Sequence, residues 1–178
     1  MIPMRTLLFS TILLSTLLVS CSKEKPAPAA EAVEFTAAKS ADGAGARFTV
    51  RFDRKAADLA FAQVLIGKAN PSSPPFCFVH YDASTTEFKL YKGPNALDFT
   101  EGAKAGTPSP AVQNDYCAVD AAQSSAADAG NELVLTVSVN FKAPMAGDQV
   151  VFKRSMEKGG SDSNWLRVGT WTVPGSGQ

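Results

Sequence analysis

The clearest pattern in the chain is the stretch ELVLTVSVNF at 132–141. Leu133, Leu135, Val137, Val139 and Phe141 fall on one side, and Thr136, Ser138 and Asn140 on the other. Successive side chains of a strand point to opposite faces, so this period of two predicts a strand with one buried face. RFTVRF at 47–52 alternates in the same way, with Phe48, Val50 and Phe52 opposed to Arg47, Thr49 and Arg51. Further strands are expected at VEFTA from Val33, in the denser run FAQVLIG ending at Gly67, and at FCFVHYD, residues 76–82. EFKLYK at 87–92 is expected to pair with FCFVHYD across the short loop ASTT. DYCAVD, QVVFKRS and WLRVGTWTV complete the set.

Alternation repeated at this spacing, with Gly, Pro, Asn and Asp between the runs, predicts an all-β fold: an antiparallel β-sandwich of about seven to nine strands over residues 33–174, with 175–178 as a tail. Three stretches carry weaker signals. PNALDFTEGAKAGTPSP, 94–110, reads as a long loop with a short strand at Leu97 to Phe99. DAAQSSAADAGN, 120–131, is rich in Ala but has no apolar stripe, and reads as a loop. DRKAADLA, from Asp53, has room for one helical turn.

The first residues follow another logic. Met4-Arg5 precede an apolar run from Leu7 to Val19, too short for a stable membrane span and laid out as an export signal. Its end, Leu18-Val19-Ser20-Cys21, resembles the lipobox of bacterial lipoprotein signal peptides. The resemblance implies that the Cys21 thiol receives a diacylglyceryl group, that the chain is cut before Cys21, and that the new amino terminus is acylated. Several acyl chains at ~0.8 kcal/mol per buried CH₂ give stable attachment to a membrane. An ordinary secretory signal with an incidental cysteine is the competing reading. Residues 1–20 are thus expected to be removed, and 21–32, with the sequence CSKEKPAPAAEA, to form a lipidated tether that cannot bury a core. Ser22, in place of Asp, favours the outer membrane if the organism has one.

Removing Arg5 with the signal leaves 16 basic against 17 acidic residues, so nothing points to nucleic acid. With Cys21 lipidated, Cys77 and Cys117 remain. An exported compartment is oxidising, and an even pair there reads as a disulfide. The rival reading is a metal or redox pair, which would have to manage without a CxxC motif and with a single His.

QVLIG at 63–67, FCFVHYD with Cys77 and Tyr81-Asp82, NDYC ending at Cys117, GNELVLTVSVNF, MAGDQVVF and SNWLRVGTWTV occur in this order. Together they resemble an Ig-like domain found singly and in tandem in secreted and surface proteins of some soil bacteria. The resemblance spans about Val33 to Pro174 and implies a β-sandwich with a Cys77–Cys117 bond. It brings no activity and no functional residues. Met145-Ala146-Gly147 departs from the aromatic version of that motif, and one copy on a lipid anchor departs from an array.

Catalytic chemistry is sparse. His80 is the only histidine, and it shares a strand face with Phe76 and Phe78. A histidine so placed is expected to be structural or at the surface, and no Gly-x-Ser-x-Gly elbow or phosphate loop accompanies it. Asp98 and Glu101 read as solvated loop charges. Asp42-Gly43, and Asp162 with Asn164, lack the ligand spacing of a calcium loop and read as turns. No catalytic residue, metal or cofactor is therefore expected. Trp165, Trp171, Tyr81, Tyr91 and Tyr116 could offer a stacking platform for sugar rings; the best binding candidates are Trp165, Tyr91 and Tyr116, and Trp171 is expected in the core. Trp165 and Trp171 have equal parity, but Gly169 between them could mark a bulge that shifts the register. The expectation is a non-catalytic lipoprotein of the cell envelope, held to a membrane by its lipid and presenting an Ig-like domain to an envelope protein or, alternatively, a glycan.

Overall fold

A computed structural model describes residues 34–39, 45–69, 74–93 and 98–175. The expected signal segment and tether with Cys21, and Asp42 and Leu97, lie outside the described residues. All described residues belong to one compact unit, Ala32–Gln178.

Eleven strands are present among them: β1 (Phe35–Lys39), β2 (Ala46–Phe52), β3 (Leu59–Gly67), β4 (Phe76–Asp82), β5 (Glu87–Leu90), β6 (Ala103–Lys104), β7 (Val112–Gln113), β8 (Cys117–Ala129), β9 (Glu132–Phe141), β10 (Gly147–Glu157) and β11 (Leu166–Val173). They form two antiparallel sheets, in the orders β1-β2-β9-β8-β7 and β11-β10-β3-β4-β5-β6. Without the two-residue strands β6 and β7, these are the sheet orders of a variable-type immunoglobulin sandwich. Those two short strands raise the count above the expected seven to nine. The helical turn expected after Asp53 is a 3-10 turn at Ala56–Asp58.

The alternating faces meet between the sheets. Phe48, Val50 and Phe52 of β2, Leu133, Leu135, Val137 and Val139 of β9, and Cys77, Val79 and Tyr81 of β4 share one buried cluster. Each fully buried Phe or Leu there contributes roughly 1.5–3 kcal/mol relative to exposure. Cys77 and Cys117 are bonded, with Cα atoms 5.7 Å apart and no solvent exposure. The bond joins β4 of one sheet to the start of β8 in the other. Immunoglobulin variable domains instead bridge the strands that correspond to β2 and β10.

The reading of 120–131 as a loop is corrected. Residues 117–129 form β8, and the Ala-rich part lies on it because a wide bulge absorbs its irregularity. Asp120 pairs with Ser138 and Ser125 with Thr136, leaving 121–124 opposite Val137 alone. Ser124 Oγ donates to Asp120 O at 2.6 Å and accepts from Ser138 N–H at 3.0 Å. Ala121 and Ser124 turn inward at the bulge, and both are buried. The remaining Ala residues lie at half-buried or exposed positions, so no apolar stripe is visible in the sequence. In 94–110 the described part is mostly loop. It contains β6, and Phe99 makes a single bridge to Tyr91.

Candidate binding face

β3 and β4 carry large side chains on both faces, as strands covered on both sides do. In β4, Cys77, Val79 and Tyr81 enter the core. Phe76, Phe78 and His80 point outward from the six-stranded sheet. Strand register extends this outer face into rows. Phe152, Leu65 and Phe78 lie side by side across β10, β3 and β4, and Tyr91 follows through its N–H bond to Phe78 O at 3.1 Å. The next row is Arg154, Gln63, His80 and Lys89.

The first row is a second hydrophobic cluster, separate from the core. Leu65, Phe76 and Tyr91 are its buried centre, and Phe78, Phe99, Phe152 and Trp165 pack around them. The three binding candidates are brought together here. Tyr116 lies 6.3 Å from Phe76, and Phe76 stacks on Tyr91 at 5.8 Å. Tyr91 meets Phe78 at 5.6 Å, and Phe78 meets Trp165 edge-on at 5.4 Å. Tyr91 is only 7% exposed and serves as the floor, while Tyr116 and Trp165 are half-buried at the two ends. Asn114 fixes the Tyr116 end. Its Oδ1 accepts from the N–H groups of Tyr116 and Cys117, and its Nδ2 donates to Tyr91 O at 2.8 Å.

Trp165 reaches this face through a bulge in β11. Val151 pairs with Gly169 and Phe152 with Arg167, so Val168 is an extra residue. The one-residue slip places Trp165 outside and Trp171 inside, where it meets Phe48 edge-on at 5.6 Å. Trp171 thus has the core position expected for it, whereas Tyr81, named with the stacking candidates, is buried in the core because its parity in β4 faces the other sheet.

The polar row is tightly held. Arg154 lies over the rings of Phe61 and Trp165, 5.8 Å from each, and donates to both oxygens of Asp162. These bonds from Arg154, with one from Asn164 N–H, hold the Asp162 carboxyl at about 2. Asn164 has φ +58°, so the calcium candidate is a turn with its carboxylate already occupied. Among the described residues, no three His, Cys, Asp or Glu side chains converge as a metal site.

His80 sits between the rings of Phe99 at 4.7 Å and Phe61 at 5.2 Å. Burial lowers its pKa to about 4, against the pull of Asp82 and with a further push from Lys89. Its Nδ1 meets Gln63 Nε2 at 3.1 Å, and among the described residues no carboxylate or nucleophile hydrogen-bonds to it as a relay would require. Gln63 is 5% exposed, and its Oε1 has no hydrogen-bond partner among the described residues. Asp98 is exposed and pairs with Lys92 at 3.5 Å, and Glu101 is exposed, as solvated loop charges are.

The outer face of the other sheet differs in kind. Thr36, Thr49, Thr136 and Ser125 form a hydroxyl row across its four longer strands. The apolar surface outside the core is therefore concentrated on the six-stranded sheet. No family model, curated protein or solved structure matches this chain.

Sequence reasoning named Tyr91, Tyr116 and Trp165 but missed Phe76, Phe78, Phe99, Phe152 and Arg154. The available signal was the presence of large apolar residues at both parities of β3 and β4.

Proposed function

We propose that this chain is an exported lipoprotein, anchored through Cys21, that presents its sandwich for non-catalytic binding, with the outer face of the six-stranded sheet as the contact surface. The observation that carries the binding part is the second hydrophobic cluster on that face. Its half-exposed Trp165, and Tyr116 of the main core cluster in contact with Phe76, flank a buried aromatic floor. Aromatic and arginine side chains dominate protein interfaces energetically, and Trp165 with Arg154 has that composition. The lipobox at Leu18–Cys21 supports the anchor, and the Pro- and Ala-rich tether supports reach from the membrane. The cell envelope, and the outer membrane in a diderm organism, is the location this reading gives.

A photoreactive amino acid at position 165 in intact cells tests the face, with position 36 on the opposite sheet as control. A discrete crosslinked product from 165 and none from 36 is expected. Equal patterns from both positions would contradict the assignment.

A glycan ligand is the second reading. The half-exposed indole of Trp165 at the end of the ring series favours it. A glycan array probed with the full chain and with Trp165→Ala separates the two, since only the second reading expects a signal that depends on Trp165.

A further inference from the structure

We propose that two copies of this chain pair edge to edge through β11, antiparallel and two-fold symmetric about Thr170. β11 is the last strand of its sheet, and among the described residues nothing pairs with its outer side. Such an edge offers a row of free N–H and C=O groups to another strand. Three features of its sequence fit a second β11.

The first is apolar. Leu166 is 44% exposed and is the one exposed large hydrophobic among the described residues. The second is charge. Arg167 is exposed and has no hydrogen bond or ion pair among the described residues. Asp148, paired with Thr172 on the same outer face, accepts from Thr172 Oγ1 at 2.7 Å and has no cation partner there either.

The third is register. Val168 is the extra residue of the bulge, so Leu166 and Gly169 face the sandwich side while Arg167 and Thr170 face outward. With Thr170 opposite Thr170 of the second copy, Gly169 opposes Trp171. The bulge residue is skipped, Arg167 then opposes Thr172, and Leu166 opposes Val173. Every opposed pair lies on a common face, as strand pairing requires. The exposed leucine meets a valine. Asp148 of the second copy lies two strand spacings from Arg167, about 10 Å between backbones, which the two side chains together bridge. Without the bulge, Leu166 and Arg167 would fall on the wrong faces of this pairing. The interface is self-complementary, as a two-fold contact must be.

The symmetry axis gives a direct test. Opposed Cα atoms in an antiparallel pair lie about 4.5–5.5 Å apart, within reach of a disulfide. Thr170→Cys is introduced into the full-length chain in its producing cells and oxidised with copper phenanthroline. The unaltered chain sets the background from its native cysteines, and the exposed Ser125→Cys on the other sheet is the control. A covalent homodimer is expected for most of the Thr170→Cys chain, at least tenfold above Ser125→Cys. Adding Arg167→Asp should reduce it at least fivefold, and Asp148→Arg on top should restore it. Light scattering of the unaltered chain, purified in detergent, should give twice the protomer mass. Crosslinking at 170 no greater than at 125, or no restoration by the charge exchange, would overturn the proposal. So would a Thr170→Cys adduct with a different protein and no homodimer. These outcomes do not depend on whether the aromatic face binds a partner.

Discussion

Gly169 stands where Phe35 needs space. A Cβ at Gly169 would come within 2.4 Å of the Phe35 ring, which is closer than any side chain tolerates. Phe35 in turn stacks on Phe48 at 6.2 Å, so β1 of one sheet closes against β11 of the other around an absent side chain. Gly169→Ala should therefore displace Phe35 and cost roughly 1–3 kcal/mol, as overpacking does. At about 2–4 °C per kcal/mol for a chain of this size, thermal unfolding should shift down by several degrees. Phe35→Ala should remove most of the additional effect in a double-mutant cycle, because the collision is lost with the ring. Equal costs of Gly169→Ala with and without Phe35 would contradict this packing.

The Cys77–Cys117 bond closes a separation of 40 residues. On the chain-entropy account that constrains the unfolded state by roughly 4 kcal/mol. Paired replacement, Cys77→Ala with Cys117→Ala, should lower the denaturation free energy by ~2–5 kcal/mol in urea titration. A change under ~1 kcal/mol would mean that the two sheets are held together almost wholly by the core.

His80 gives the stability a pH dependence of known sign. Burial lowers its pKa from 6.5 to about 4, so on acidification the unfolded chain takes up the proton first. The stabilisation is fully present above 6.5 and is lost as the pH falls from 6.5 through about 4. A shift of that size is worth at most ~3 kcal/mol. Urea midpoints measured at pH 7.5, 6 and 4.5 should fall steadily, and His80→Gln should flatten that slope. An unchanged slope in His80→Gln would place the acid sensitivity elsewhere.

The bulge at Val168 decides the facing of both tryptophans. Deleting Val168 removes the extra residue and leaves Trp165 and Trp171 an odd number of positions apart, so a regular strand carries both indoles on their present, opposite faces. The deletion should therefore leave tryptophan fluorescence close to that of the unaltered chain. A large change in emission would show that Val168 is not the extra residue of the pairing.

The main strands were legible because the buried face of this sandwich writes a period of two into β2, β4 and β9. Even the opposite facing of Trp165 and Trp171 was signalled by Gly169, since a glycine within a strand marks irregular pairing. β8 was not legible. Its small residues bury little, and its bulge breaks the period after Asp120. The outer aromatic cluster was only half legible. Phe76, Phe78 and His80 share a parity, but that pattern does not reveal that Phe99 and Trp165, far apart in sequence, fold onto the same face. The edge pairing proposed for β11 depends on where a single unpaired residue sits, which only strand register defines.

The central claim is attachment to a membrane through Cys21. The most direct measurement is mass spectrometry of the amino-terminal peptide of the protein isolated from its own cells. The account predicts that residues 1–20 are absent and that Cys21 is the first residue, carrying a thioether-linked diacylglycerol and an acylated amino group. A mature chain that begins elsewhere, or that carries an unmodified Cys21, would contradict it.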